Sequence, residues 1–163
     1  MDTLLIITLN GEEFEKWKEE LVTLYVRAYE NLPEYRYHHP EKIREYLSWL
    51  WHGDPEGFMV AMEKGVSIGF ISIHGAWEKE GEVWGEVHEF VVHPDYRKRG
   101  IGTTLFETAL KYAQEKGRTK CGLWVGVKNE EALAFYRKRG FIPREQWGKW
   151  IRMVKEMNGD DAP

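Results

Sequence analysis

Arg97-Lys98-Arg99-Gly100-Ile101-Gly102-Thr103-Thr104 stands between an apolar run at residues 83–92 and a stripe formed by Ile101, Leu105, Phe106, Ala109, Leu110 and Ala113. The run reads as a strand ended by Pro94, and the stripe as a helix closed by Gly117. A strand, a glycine-opened basic loop and a helix start together suit a phosphorylated ligand. Glycine lets the backbone approach, the first helical N–H groups point at the anion, and the cations of Arg97, Lys98 and Arg99 surround it. Two nucleotide motifs fail on detail. The Rossmann fingerprint needs a third Gly or Ala where this chain has Leu105, and the Walker loop needs a Gly-Lys-Ser/Thr that is absent.

Outward from that loop the chain alternates strands and helices. Residues 4–9 read as a first strand stopped at Asn10-Gly11. From Glu13 a helix carries Phe14, Trp17, Leu21, Leu24, Tyr25 and Ala28 until Pro33, and a loop rich in Tyr and His fills 31–40. A second helix covers 41–51, with Ile43, Tyr46, Leu47 and Leu50 on one face. Runs at 58–62 and 66–74 form a hairpin around Glu63-Lys64-Gly65, and a polar loop through Lys79-Glu80-Gly81 precedes the fourth strand. Residues 123–127 are a fifth strand. Asn129 caps a helix with Ala132, Leu133, Phe135 and Tyr136 that Gly140 ends, with Glu130 and Glu131 at the positive end of its dipole. Phe141-Ile142 leads to a last strand at 147–154. The economical reading is one mixed α/β domain over 1–157, with 158–163 expected to be disordered.

The balance of 23 Lys+Arg against 27 Asp+Glu gives a net charge of -4, which argues against nonspecific nucleic-acid binding and mildly suits a cationic substrate. No apolar run approaches the roughly 20 residues of a membrane helix. No N-terminal segment has a signal-peptide pattern, so a cytoplasmic protein that engages no membrane is expected. Cys121 is the single cysteine and reads as a core residue. His38, His39, His52, His74, His88 and His93 show no metal-ligand spacing, and no metal is expected.

Residues 86–102 resemble the cofactor motif of the GNAT superfamily of N-acetyltransferases: an acidic strand, then Val-x-Pro-x-Tyr-Arg, then Arg-x-x-Gly-x-Gly. Val125, Asn129, Ala132, Phe135-Tyr136 and Gly140-Phe141 match that family's second run independently, so the resemblance covers about 83–141. It implies a twisted mixed sheet of about seven strands with about four helices, splayed between the fourth and fifth strands. It also implies acetyl-CoA as acyl donor. Its pyrophosphate would rest on N–H groups from Arg97, Lys98, Arg99, Gly100, Ile101, Gly102 and Thr103, with its pantetheine arm along the backbone of Phe90, Val91 and Val92. Asn129 would contact that arm, and Tyr136 would lie near the sulfur.

The chemistry implied is transfer of acetyl to a primary amine by direct attack. An alkyl ammonium has a pKa near 10.4, so presenting it neutral at pH 7 costs about 4 to 5 kcal/mol, and a base must help. Glu86, His88 and Glu89 are the candidates. Glu86 falls where histone-acetylating members carry their glutamate, and Glu89 where many small-molecule members carry an acid. Alternation puts Glu86 and His88 on one face and Glu89 on the other unless a bulge intervenes. Tyr136 is the candidate acid, a core tyrosine being the competing reading. Trp124 stands where some N-terminal-amine acetylating members have Glu, which weighs against a ribosomal-protein-type substrate. The loop Tyr35-Arg36-Tyr37-His38-His39 either shapes the acceptor pocket or is plain surface. The acceptor, an amine on a small molecule, peptide or protein, stays open, as do a homodimer and the alternative of a catalytically silent CoA-binding sensor.

Overall fold

A computed structural model describes residues 3–157. The expected tail at 158–163 lies outside them. In chain order the elements are β1 (Leu4–Ile7), α1 (Gly11–Ala28), α2 (Pro40–Gly53), β2 (Phe58–Glu63), β3 (Val66–Lys79), β4 (Glu82–Val92), α3 (Ile101–Glu115), β5 (Lys120–Gly126), α4 (Glu130–Lys138), β6 (Ile142–Trp147) and β7 (Trp150–Glu156). The strands form one mixed sheet in the order β1-β2-β3-β4-β5-β7-β6. β4 and β5 are parallel through Gly85↔Cys121, Glu86↔Gly122 and Val87↔Leu123, while β4 continues from His88 to Val92. The short register beside a longer strand is the splay that the resemblance implies.

Two elements differ from the sequence reading. β3 runs to Lys79, through residues expected to be loop, because its partner strand lies next in the chain and the turn is only Glu80-Gly81, both at positive φ. The last strand is a hairpin, β6 and β7, turning at Gly148 (φ +57°). All six residues of β6 are exposed, so no apolar alternation marks it.

The contacts divide the described residues into two compact units. The first holds the chain up to Ile73 together with Glu89–Ala109. Asn10 closes a capping box with Glu13 at the start of α1, satisfying N–H groups that the helix cannot. The buried stripe of α1 (Phe14, Leu21, Leu24, Tyr25) packs with Ile43, Leu47 and Leu50 of α2 and with Phe58, Val60, Phe70 and Val91 of the strands. Each such side chain contributes about 1.5–3 kcal/mol by leaving water. The second unit holds His74–His88 and the chain from Leu110 on. Cys121, Leu123, Met153 and Phe141 are buried there to 1 % exposure or less. Among the described residues no helix is long and apolar enough to cross a membrane, and no group of three or more His, Cys, Asp or Glu is placed to hold a metal ion.

Candidate active site

In the first unit, β4 ends at Val92 and a short 3-10 turn, Pro94–Tyr96, delivers the chain to the basic loop. Lys98 (φ +63°) and Gly100 (φ +80°) take left-handed conformations, the kind of winding found in backbone anion sites. Thr104 N–H bonds to Gly100 O at 3.0 Å and opens the helical ladder, so the N–H groups of Ile101 and Gly102 lie at its unsatisfied end. Gly102 is needed for contact: a Cβ there would lie 3.3 Å from the Phe90 ring and 3.5 Å from Val92 Cγ2. The three cations do not act alike. Arg97 turns inward, donating to Ala28 O at 2.7 Å and Val92 O at 3.3 Å, and so ties the loop to α1 and β4. Arg99 pairs with Glu63 at 2.9 Å and stacks over Tyr96. Lys98 is exposed.

Glu89, further back on β4, is 8 % exposed. Tyr46 Oη of α2 donates to its Oε1 at 2.7 Å, and the hydroxyl of Tyr29, just past α1, donates to its Oε2. Burial pushes the Glu89 carboxyl above its usual range, opposed by those two phenols and the Phe90 N–H. Tyr46 is in turn pushed well up by burial and by the Glu89 charge. The Tyr-rich loop joins this cluster: Tyr37 N–H bonds to Tyr25 Oη at 2.9 Å, and the Tyr37 ring, 48 % exposed, lies 5.0 Å from that of Tyr46. Phe90 packs against Phe106 of α3, and Val91 joins the core with α1 and α2.

In the second unit, Glu86 is held by Arg152 of β7. Nη2 donates to Oε1 at 2.8 Å and Nη1 to Oε2, with both side chains buried. Trp84 and Trp124 flank the guanidinium, with ring centroids 5.5 and 5.7 Å from its carbon. His88 packs on the rings of Trp77 and His74. Burial lowers its pKa to about 4, assisted by His74 and Arg152, so it is a neutral imidazole at pH 7. Cys121 is fully buried, and burial, then the Glu86 charge, pushes its thiol far up, which leaves it inert. Tyr136 is 7 % exposed beside Phe135 and Phe141. Asn129 caps α4, its Oδ1 accepting from Ala132 N–H at 3.2 Å, which leaves its amide NH2 as a donor.

A family model described as the acetyltransferase (GNAT) family matches residues 18–141. This chain belongs to the GNAT acetyltransferase family. An uncharacterized N-acetyltransferase of Methanocaldococcus jannaschii is 38 % identical over 141 residues, 85 % of this chain and 62 % of the relative, so the chain spans less than two thirds of that protein. The crystal structure of a Pyrococcus horikoshii OT3 protein superposes with a TM-score of 0.86 at 34 % identity, over 96 % of this chain and 99 % of that one. The PaiA N-acetyltransferase of Thermoplasma acidophilum, solved in complex with coenzyme A, superposes at 0.68 with 24 % identity over 94 % of this chain and 99 % of that one, a likeness of fold.

GNAT proteins use acetyl-CoA. The start of α3 has the form that an anion such as its diphosphate needs, helix-start N–H groups behind a left-handed Gly100, with Gly102 letting the helix begin close against Phe90 and Val92. Sequence reasoning missed Tyr29, Tyr46 and Arg152. Tyr46 was legible only as an apolar-face residue of α2. Arg152 left a faint signal, a lone cation inside the apolar run Ile151–Val154.

Proposed function

We propose that this chain transfers acetyl from acetyl-CoA to a primary amine by direct attack in a ternary complex, with Glu89 taking the amine proton and Tyr136 supplying one to the leaving sulfur. The observation that carries the mechanism is the state of Glu89. A buried carboxyl with a raised pKa is a stronger base than an ordinary glutamate. Tyr29 and Tyr46 keep its oxygens oriented and stabilise the charge it needs before the proton arrives. Glu86 offers no such oxygen, because both are bonded to Arg152. His88, with its pKa near 4, is a weak base.

Acetyl-CoA supplies the acetyl group as a thioester. The N–H groups of Gly100, Ile101, Gly102 and Thr103, with Lys98, would hold its diphosphate, while Arg97 and Arg99 shape the loop. Backbone groups of Phe90, Val91 and Val92 would receive the arm, where a backbone N–H would supply a donor to the thioester oxygen, and Asn129 Nδ2 would donate to the arm. The Tyr136 hydroxyl is an O–H donor, which suits it to the acid role. The acceptor is an amine on a small molecule, peptide or protein. The family match runs through both units, which supports one catalytic domain over 1–157, and the lone buried Cys121 suits a cytoplasmic enzyme.

Free-thiol release from acetyl-CoA, measured against a panel of mixed amines, tests the reading. Release with at least one amine, lowered about tenfold or more by Tyr136→Phe while coenzyme A still shifts the melting temperature, is the expected result. Coenzyme A binding with no release from any amine contradicts it.

A further inference from the structure

Glu86 is the middle of the three residues that hold β4 to β5. Its partner Arg152 is not on β5 but on β7, where it pairs in register with Trp124. The guanidinium therefore reaches back across β5 to β4, over Gly122, which is opposite Glu86 on one side and Val154 on the other. Gly122 makes the crossing possible, since a Cβ there would lie 2.6 Å from Cζ of Arg152 and overlap Nη2. The two side chains are 3 % and 4 % exposed, and Trp84 and Trp124 close over the guanidinium. The planar fork fits a carboxylate with two parallel bonds, which makes this a directional tie and not a loose charge contact.

We propose that the Glu86–Arg152 pair is a clamp spanning three strands that holds the β4–β5 register closed as far as Val87, and that Arg152 is thereby a positioning residue for acyl-donor binding. A parallel pair of only three residues is weakly held by its own ladder. The ion pair fixes its centre, and the pairing ends one residue further on, at Val87. The donor arm needs the free backbone of β4 beyond that point, so the place where pairing stops sets how that backbone is presented. This rests on the acetyl-CoA reading above, and it removes Glu86 from proton transfer.

The test uses Glu86→Gln, Gly122→Ala, Arg152→Met and Arg152→Lys, with two readouts. Amide exchange in the substrate-free protein is expected to speed up about tenfold or more at residues 85–87 and 121–123 in Glu86→Gln, Gly122→Ala and Arg152→Met, and by less in Arg152→Lys, which keeps the charge without the fork. In turnover, KM for acetyl-CoA rises about tenfold while kcat stays within about threefold and its pH profile does not move. Should Arg152→Met not fold, Glu86→Gln and Gly122→Ala carry the same comparison. Unchanged exchange at those amides overturns the clamp. So does a kcat loss of about a hundredfold in Glu86→Gln at unchanged KM with the acidic limb erased, which would make Glu86 the base. If the wild-type chain releases thiol with no amine, the functional reading falls, and the exchange result alone upholds or overturns the clamp.

Discussion

Glu86 and Glu89 sit three residues apart on the same strand, and the fold treats them in opposite ways. Glu86 meets a permanent cation that takes both oxygens; Glu89 meets two neutral phenols that only hydrogen-bond to it, while burial raises its pKa. An arginine that takes both oxygens of a carboxylate leaves neither of them aimed at a substrate proton. Tyrosine partners orient a carboxylate and leave it basic. The difference teaches that position along a strand, which sequence matching supplies, does not assign a base; the partner's chemistry does.

Removing a partner on each side breaks the comparison in measurable ways. The largest stability effect belongs to Arg152→Met, which leaves Glu86 buried and uncompensated at a cost of about 3–5 kcal/mol, read by denaturant unfolding at pH 7. A loss below about 1 kcal/mol would mean that the pair behaves as a surface contact. Beside it, His88 has a folded pKa near 4, below its usual 6.5. A depressed pKa gives stability that is full above pH 6.5 and lost as pH falls through about 4, by up to about 3 kcal/mol. His88→Gln should flatten unfolding free energy across that window; an unchanged slope would place the titration elsewhere.

On the other side, Tyr46→Phe deletes a donor to Glu89 and should cost about 1–3 kcal/mol. The sign with pH follows from the raised Glu89 pKa: that group's contribution is present below its unfolded value of 4.5 and lost as pH rises through the folded one. Because Tyr46 offsets this loss by favouring the ionised form, its removal should hurt more at pH 8 than at pH 4. Equal losses at both would show that the phenol does not see the carboxylate's charge.

Much of the fold was legible because its signals are local. The stripe of α3, the cap at Asn129 and the glycines at 100 and 102 each follow from short-range rules, and the structure places them accordingly. β6 was not legible as a separate strand, because an edge strand exposed along its whole length carries no alternation. The loop's location could be read, but not the division of labour among its cations, since Arg97 is drawn to a carbonyl at Ala28 far off in sequence. The roles of Glu86 and Glu89 were equally out of reach. Arg152, Tyr29 and Tyr46 lie 66, 60 and 43 residues from them, and no spacing rule spans such separations.

The most direct test is the pH dependence of kcat for Glu89→Gln beside Glu86→Gln, with the amine that the screen identifies. Glu89→Gln is expected to lower kcat about 10²- to 10⁴-fold and remove the acidic limb, while Glu86→Gln retains that limb with kcat within about threefold of wild type. The reverse pattern, with the limb lost in Glu86→Gln and kept in Glu89→Gln, would contradict Glu89 as the base.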